Sequence, residues 1–517
     1  MEAGIVSERG APKRMRGPKR IPFYAAILVL VAHAVANPHY GFFRDELYFI
    51  VCGFHPAWGY VDQPPLVPLL AAASQLFGES LFLARVVPAL FAAGSTYVIC
   101  LIAIELGGGT FAQILAAVAS FLSPVLMNFG MKISTDTPGL VLWPLAALAI
   151  LRVLNRRDPR WWLVAGAALG LSFQAKYSVI FFAAALLMGL LATRQRQALR
   201  TGWCVAAAAL AIAIALPNVL WQLHFQLPML ELLRNGQQQG KNIELSPADF
   251  IVAEFLITNP VLALVWASGL FWLLWHPAVR FLAWSFLALT MEMILLKAKH
   301  YYPANVYPIL IAAGGVALEQ WTEKLKSLRP AIAGVAVVSG LVVVPYALPV
   351  LPVQIFIPYH RTIAPLLHLD KARTERGRVG PLPQDWADMH GWPELTAAVA
   401  QVYAQLAPEE RTEAVIFAQN YGEAAAIEFL GKRYGLPPVL SGHNQYYLWG
   451  TRGNSGEVLI VVGGHCGEEY GLYRSSTHAA TFTHSLMRPF ESRLPIFVCR
   501  GLNQPLAEFW PRVKFYY

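Results

Sequence analysis

The sequence predicts a polytopic α-helical membrane protein with a small soluble α/β domain in its C-terminal part. Of the 517 residues, 56% are hydrophobic and only 14% are charged, whereas a soluble domain carries roughly 25% charged residues. Apolar stretches recur from residue 21 to residue 351, and from about Pro352 onward they shorten to the length of strands. These observations divide the chain into a basic N-terminus at 1–20, a transmembrane domain at 21–351 and a soluble domain at 352–517.

Hydropathy places the transmembrane helices. A hydrocarbon core of about 30 Å needs roughly 20 apolar residues per helix. Several stretches here are shorter, so their boundaries are soft, and we expect about 11 to 13 helices. The stretches cover residues 21–37, 81–104, 111–127, 138–154, 161–175, 178–193, 202–217, 260–275, 281–297, 304–320 and 331–351.

The basic residues predict the orientation in the membrane. A basic cluster at 13–20 precedes the first apolar run, which no convincing cleavage pattern follows, so we interpret this run as an uncleaved first helix. With the N-terminus in the cytoplasm, roughly twice as many Lys and Arg fall in inner loops as in outer loops, which agrees with the positive-inside rule. Topology therefore explains the net charge of +9 without nucleic-acid binding, and an odd number of helices places the C-terminal domain outside.

Two of the predicted outer loops are long, and they cover residues 38–80 and 217–259. In the first loop, Pro64 and Pro65 fix an extended turn and can start a helix. The helix that follows, Leu66–Phe77, is apolar, and we expect it to lie along the membrane surface.

The C-terminal domain is predicted from short elements. Ala414–Ala418, Val458–Val462 and Pro495–Val498 have the composition of buried strands, and Glu423–Tyr434 is predicted to be a helix closed by Gly435. The five cysteines have no metal-binding spacing. Cys100 and Cys204 fall in apolar runs and are predicted to be inert, whereas Cys466 and Cys499 lie in the outer domain, where a disulfide between them is possible.

Four acidic residues on the predicted outer face are candidates for chemistry: Asp45, Glu46, Asp62 and Asp136. Carboxylates next to lipid are costly and need a reason. Neighbouring residues on a helix point about 100° apart, so only one of Asp45 and Glu46 is expected to face a given site. The alternative for the adjacent pair, for Asp62 and for Asp136 is a helix cap. Convergence on one membrane face favours a functional site.

A cationic cluster ends a predicted span on the same face. Lys299, Tyr301 and Tyr302 would suit the oxygens of a lipid phosphate, and Lys176 in another short outer loop is a second candidate cation. The alternative is that these lysines extend to the headgroup region while their stems remain in the apolar layer. Lysines on the outer face run against the positive-inside rule, which favours the functional interpretation.

Common motifs of nucleotide, metalloprotease and hydrolase chemistry are missing from the sequence. It contains no GxxxxGK(S/T) loop, no HExxH and no convincing nucleophile elbow. The energy for any reaction is therefore expected to come from an already activated substrate or from a gradient.

Several segments resemble a known family. FRDELY at 43–48 and WGYVDQPPL at 58–66 resemble the first periplasmic loop of bacterial glycosyltransferases related to dolichyl-phosphate-mannose protein mannosyltransferases, among them the lipid A aminoarabinose transferase. TDTP at 135–138 and KHYYP at 299–303 also resemble family positions, and the likeness covers roughly residues 40–320. NYGEA at 420–424 and SGHN at 441–444 resemble segments in the tails of bacterial members, to which we assign no role from sequence.

The resemblance implies the GT-C fold and transfer of a sugar from a polyprenyl-phosphate-linked donor to a lipid, glycan or protein acceptor, outside the cytoplasm of a bacterial inner membrane. It makes Asp45 the candidate general base, with Glu46 in support. The implied donor-phosphate residues are Lys299, His300, Tyr301, Tyr302, Lys176 and Arg44, and the implied sugar or acceptor pocket is formed by Asp62, Gln63, Asp136 and Tyr60. We expect no required cofactor or metal, because positioned cations can stabilise the leaving phosphate, although a carboxylate cluster could bind a divalent ion.

Two other classes of function remain as alternatives. Transporters hold ionisable residues near the midplane and often contain inverted repeats, whereas the charges here lie at loop edges and no internal repeat is visible. A non-catalytic envelope protein that binds or assembles glycans is the third possibility, since the soluble domain could serve that role.

Overall fold

The computed structural model describes residues 20–239, 244–366 and 380–517 and forms two compact units. The helical unit contains residues 20–37 together with Arg85–Pro217 and Glu244–Val350. The loop-and-tail unit combines residues 38–84, which include the first long loop, with 218–239, 351–366 and 380–517. The predicted basic N-terminus at 1–19 lies outside the described residues.

The stretches that hydropathy predicts to cross the membrane all form apolar helices. The helical unit and its ends contain the helices Ile21–Ala36, Leu81–Glu105, Thr110–Phe121, Pro124–Met131, Gly139–Arg156, Trp161–Phe173, Val179–Leu191, Gly202–His224, Pro247–Ile257, Pro260–Trp275, Arg280–Leu295, Tyr307–Trp321 and Leu328–Val343. The prediction of one unbroken helix over 111–127 is wrong. Pro124 starts a new helix bent by 67° from Thr110–Phe121, because a residue before proline, here Ser123, avoids the helical conformation.

Fewer helices than the sequence predicts are long and apolar enough, by themselves, to cross a membrane. Within the described ranges, Leu81–Glu105, Gly139–Arg156, Gly202–His224 and Leu328–Tyr346 are long and apolar enough to cross a membrane, and two bent helix pairs raise the number to six. The second bent pair joins Pro247–Ile257 to Pro260–Trp275 at 109°. The expected total of about 11 to 13 spans counts shorter helices as well, and it stays a prediction.

Small residues allow close helix packing in the helical unit. A Cβ atom on Gly269 would collide with the carbonyl oxygen of Leu310, and one on Gly314 would collide with that of Val265. The helices Pro260–Trp275 and Tyr307–Trp321 therefore approach backbone to backbone, as is common for helices packed in a membrane.

The loop-and-tail unit is built on a five-stranded mixed sheet. Its strands are β1 (Ala414–Ala418), β2 (Val439–Leu440), β3 (Val458–Val462), β4 (Tyr473–Thr483) and β5 (Arg493–Leu502), in the order β2-β1-β3-β5-β4. The first three strands pair in parallel, and β5 pairs antiparallel with β3 and β4. The predicted α/β tail is confirmed, with β1 and β3 at the predicted residues and Pro495–Val498 inside β5.

Helices of this unit are Arg44–Phe54, Leu66–Ala73, Pro228–Gln238, Val353–Leu366, Gln384–Ala387, Trp392–Ala404, Pro408–Glu413, Tyr421–Leu430, Gln445–Trp449 and Leu506–Phe509. The predicted helix at 423–434 begins two residues earlier and ends in a 3-10 turn before Gly435, whose φ is +63°. The apolar helix predicted over 66–77 stops at Ala73. The disulfide between Cys466 and Cys499 is confirmed.

Candidate active site

The helix Arg44–Phe54 of the first long loop carries the two adjacent acids, and they do different things. The side chain of Glu46 is buried and reaches back to accept a hydrogen bond from the backbone N–H of Phe43 at 2.9 Å. This contact satisfies one of the unpaired donors at the helix start. In this structure Glu46 therefore caps the start of the helix, which is the alternative to a role in catalysis.

Asp45 is the acid that is available for chemistry. Its Oδ1 accepts a hydrogen bond of 2.8 Å from the hydroxyl of Tyr421 and a longer one of 3.4 Å from Nε of Arg44. About a third of the side chain, 34%, remains exposed. Asp45 thus combines a fixed orientation with access from solvent, which a general base requires.

Burial explains why the Tyr421 hydroxyl can serve as a donor. Tyr421 follows β1 and opens the helix Tyr421–Leu430, which Asn420 caps by accepting hydrogen bonds from the N–H groups of Gly422 and Glu423. Burial raises the pKa of Tyr421 well above its usual range, although Arg44 acts in the opposite direction. The hydroxyl therefore stays protonated and donates to Asp45.

Arg44 is held inside the fold. Its guanidinium lies 5.1 Å from the ring centre of Tyr421 and 4.0 Å from a carboxylate oxygen of Glu491, and its side chain is only 15% exposed. Its stem packs over Gly422, where a Cβ would collide with Cγ and Cδ of Arg44. The predicted donor-phosphate residue is thus surrounded by carboxylates and an aromatic ring of its own unit.

Asp62 forms a second acid position. Its Oδ1 accepts a hydrogen bond from the Tyr48 hydroxyl at 2.9 Å, and its Oδ2 accepts one from Nδ2 of Asn444 at 3.2 Å. The helix Leu66–Ala73 has Pro65 at its cap and receives no side-chain cap, so Asp62 is not the cap of that helix. Burial raises the pKa of Asp62 to about 6, although the hydrogen bonds from Tyr48 and Asn444 oppose the rise.

The two acid positions are linked through aromatic rings. The ring centres of Tyr48 and Tyr421 lie 4.6 Å apart, and each tyrosine donates its hydroxyl to one of the two aspartates. Gln445 closes the arrangement: its N–H donates to the Tyr48 hydroxyl at 3.2 Å, and its side-chain oxygen accepts from the N–H of Val61 at 3.2 Å. We call Asp45, Asp62, Tyr48, Tyr421 and Asn444 the acid site.

Tyr60 and Gln63, two predicted pocket residues, are buried in the turn before Pro64. The Tyr60 hydroxyl donates to the backbone oxygens of Cys52 and His55, at 2.8 and 3.3 Å. The backbone N–H of Tyr60 donates to the oxygen of Gln63 at 2.9 Å. These contacts give Tyr60 a structural part in shaping the loop, and its relation to a sugar remains a prediction.

The tail contributes residues that sequence reasoning left without a role. Tyr421 lies in the segment 420–424 and Asn444 in the segment 441–444, the two tail segments that resemble the bacterial family members. The signal was therefore present in the sequence, but it did not indicate what these segments contact. In the structure each segment provides one hydrogen bond to an aspartate of the first loop.

The helical unit holds a second group of predicted residues. Nζ of Lys176 donates to both carboxylate oxygens of Asp136, at 2.8 and 2.7 Å. The helix Gly139–Arg156 has Pro138 at its cap and no side-chain cap, so Asp136 does not cap it. Its backbone oxygen instead accepts from Nδ2 of Asn305 at 3.2 Å. Asp136 and Lys176, predicted to serve different substrate groups, form one ion pair here.

Aromatic rings complete this group. Nζ of Lys176 lies 4.3 Å from the ring centre of Tyr302 and 5.5 Å from that of Tyr301, and Nζ of Lys299 lies 6.0 Å from the ring centre of Tyr301. Burial and the charge of Lys299 lower the pKa of His300. We call Lys176, Asp136, Lys299, Tyr301 and Tyr302 the cationic site. Lysines are common ligands of anionic phosphate oxygens, and this site contains two of them.

The described ranges contain no group of three or more His, Cys, Asp or Glu side chains arranged to hold a metal ion. The acids of the acid site instead face tyrosine and asparagine donors. These donors suit carboxylates that act by accepting protons or hydrogen bonds.

Comparisons with known proteins agree with this picture. Residues 62–221 match the family described as dolichyl-phosphate-mannose-protein mannosyltransferase. The lipid A galacturonosyltransferase RgtD of Rhizobium johnstonii is 26% identical over 239 residues, which are 44% of this chain. The chain spans about half, 49%, of the length of that relative.

The fold is that of ArnT. The crystal structure of ArnT from Cupriavidus metallidurans bound to undecaprenyl phosphate superposes with a TM-score of 0.57 at 14% identity, over 92% of this chain and 97% of ArnT. The apo structure of the same protein gives a TM-score of 0.58 at 15% identity, with the same coverage. The chain therefore has the fold of ArnT, in agreement with the GT-C fold that the sequence predicts, and its residues 62–221 resemble the dolichyl-phosphate-mannose-protein mannosyltransferase family.

Proposed function

We propose that this protein is a membrane glycosyltransferase that moves a sugar from a polyprenyl-phosphate-linked donor to an acceptor outside the cytoplasm. The observation that carries the proposal is the geometry of Asp45, which is oriented by Tyr421 and Arg44 and remains 34% exposed. The family match and the ArnT fold support the reaction class. The acceptor class, a lipid, glycan or protein of the cell envelope, follows from the relatives and stays part of the proposal.

Asp45 acts as the general base. As the acceptor hydroxyl oxygen forms its bond to the anomeric carbon of the donor sugar, the hydroxyl proton passes to the Asp45 carboxylate. The bond between the anomeric carbon and the phosphate oxygen breaks, and both its electrons leave with the lipid phosphate. Attack opposite the leaving group inverts the anomeric carbon. Removing such a base slows a reaction by about 100- to 10,000-fold.

The leaving phosphate is the group that the cationic site would hold. Lys176 and Lys299 supply positive charge beside the rings of Tyr301 and Tyr302, whose hydroxyls are further possible donors to a phosphate. Donors fixed where negative charge develops lower the barrier without reorganising during the step. This arrangement lets the reaction proceed without a required metal ion, and a phosphate leaving group needs no further activation.

The test compares envelope lipids and glycans by mass spectrometry in cells that lack the protein and in cells that carry it or the variant Asp45→Asn. In cells that lack the protein, we expect the mass of one envelope component to fall by the mass of one sugar. The native protein should restore this mass, whereas Asp45→Asn should not, when both proteins are present in the membrane in equal amounts. Glu469→Gln makes the same carboxylate-to-amide change at an exposed turn and should restore the product fully.

Full restoration by Asp45→Asn would remove the general base and with it the proposed mechanism. An unchanged envelope accompanied by solute exchange across vesicles that contain the purified protein would instead identify a transporter.

A further inference from the structure

We infer that Tyr421 is a positioning residue for the general base, so that the tail supplies part of the catalytic machinery of the first loop. The inference rests on the proposed role of Asp45 and deepens it. The 2.8 Å bond from the Tyr421 hydroxyl is the shorter of the two hydrogen bonds that Asp45 receives from Tyr421 and Arg44. Both bonds reach Oδ1, which fixes the plane of the carboxylate.

Tyr421 itself has little freedom to move. Its ring lies 4.6 Å from the ring of Tyr48 and 4.9 Å from that of His443, and the Arg44 guanidinium covers it at 5.1 Å. Its backbone N–H donates to Nδ1 of His443 at 3.4 Å. Because the ring is packed on several sides, the hydroxyl has a fixed position and restricts the carboxylate to which it donates. A catalytic side chain needs such a fixed partner for precise placement.

The hydroxyl also has an electrostatic effect. A donor to an ionised carboxylate favours the ionised form, so its loss should reduce the fraction of enzyme with a competent base at low pH. The charged and titratable groups that act on Asp45 are Arg44 on its own helix, Tyr421 from the tail helix, Asp62 from the same loop and Asp388 from the tail. A Tyr421→Phe change removes one hydroxyl and leaves the other three in place.

The experiment measures initial rates of product formation by purified variants added to membranes from cells that lack the protein, since those membranes contain the unused donor and acceptor. Rates are followed by mass spectrometry from pH 5 to pH 9 and at serial dilutions of the membranes. For Tyr421→Phe we expect kcat to fall about 10-fold with an apparent KM within about twofold of native. The acid limb of the pH profile should move to higher pH, because the carboxylate loses a hydrogen-bond donor.

Tyr403→Phe is the matched control. Its hydroxyl donates to the backbone oxygen of Arg411 at 3.3 Å, within the same unit but on the helix Trp392–Ala404. This variant should keep the native rate and pH profile. The thermal unfolding temperature of both variants in detergent reports whether either change acts through the fold.

Two results would overturn the inference. Tyr421→Phe with a native rate and profile would show that the hydroxyl does not position the base. A lower rate with an unmoved acid limb and a lower unfolding temperature would show that Tyr421 only supports the fold. If Asp45→Asn is inactive and Tyr421→Phe has the native rate and pH profile, only the inference about Tyr421 fails. If Asp45→Asn is active, the proposed function itself is refuted.

Discussion

The acid site and the cationic site solve the same problem, holding a charged side chain in place, in opposite ways. The aspartates of the acid site receive their shortest hydrogen bonds from neutral donors, Tyr421 for Asp45 and Tyr48 with Asn444 for Asp62, and Arg44 adds a longer bond of 3.4 Å to Asp45. The lysine of the cationic site is held by an opposite charge, the two oxygens of Asp136. Neutral donors leave the negative charge available, whereas the ion pair cancels part of the positive charge.

This difference bears on what each site can do. A general base needs its negative charge while it receives a proton, so neutral donors suit it. A phosphate site needs cations that can donate hydrogen bonds to the anion when it binds. The ammonium group of Lys176 has three N–H donors, and in this structure it makes two hydrogen bonds to Asp136. Lys299 provides a second cation beside the Tyr301 ring. The comparison therefore predicts different responses of the two sites to mutation and to pH.

The largest expected effect comes from the disulfide that supports the tail sheet. Cys466 follows β3 and Cys499 lies on β5, and β3 pairs with β1, the strand that leads directly to Tyr421. A crosslink that closes a loop of 33 residues is worth about 3–4 kcal/mol. We expect Cys466→Ser with Cys499→Ser to lower the unfolding temperature in detergent and to speed hydrogen exchange in β3 and β5.

The matched control for the disulfide is Cys204→Ser, which changes a free cysteine of the helical unit. It should leave the unfolding temperature nearly unchanged. If the double variant unfolds at the native temperature, the disulfide contributes nothing to the unit that carries the acid site.

The next largest effect is expected at the ion pair. Lys176→Met keeps the length of the side chain but leaves the Asp136 carboxylate, 7% exposed, without its counter-charge. Breaking a pair this buried should cost about 2–3 kcal/mol, somewhat below the range for fully buried pairs. We expect a lower unfolding temperature together with the loss of activity.

The double variant Lys176→Met with Asp136→Asn separates the two losses. It removes both charges, so the unfolding temperature should recover while activity does not. Recovery of activity as well would mean that Lys176 has only a structural role in the ion pair and does not hold the donor phosphate.

The sequence identified the acids but not their partners. Asp45 and Asp62 stand in motifs that are specific in themselves, and costly carboxylates near lipid attract attention without any structure. Tyr421 and Asn444 are separated from their aspartates by 376 and 382 residues. A tyrosine and an asparagine next to helix starts are common in any soluble domain, so only the tertiary fold reveals these contacts.

Strand β4 and the helix break at Ser123 were both missed from sequence, and both have local physical causes. β4 is an edge strand with exposed polar residues at 474–478 on both faces, so it shows neither a buried run nor alternation. The break at Ser123 was signalled by Pro124, but the apolar run continues across it, and hydropathy alone does not respond to backbone geometry. Composition predicted the fold class because burial in lipid leaves the strongest mark on sequence.

The smallest expected effect is a pH dependence that should appear at the acid site through Asp62. Burial raises its pKa to about 6, above its ordinary value near 3.8, so the folded protein binds this proton more tightly than the unfolded chain does. Stability from this group is therefore greatest below pH 4 and is lost as the pH rises through 6. Because Asp62 is half-buried, we expect a loss of about 1–2 kcal/mol between these limits.

Asp62→Asn should remove this dependence. Unfolding temperatures of the native protein and the variant are compared from pH 4 to pH 8, with Asp136→Asn as the second comparison. The native advantage over Asp62→Asn should shrink as the pH rises. Asp136→Asn should show no such trend, because the contact that it removes is an ion pair with Lys176 and not a hydrogen bond from a neutral donor. A parallel trend in both variants would mean that the two sites hold their carboxylates alike, and the contrast between neutral donors and an opposite charge would fail.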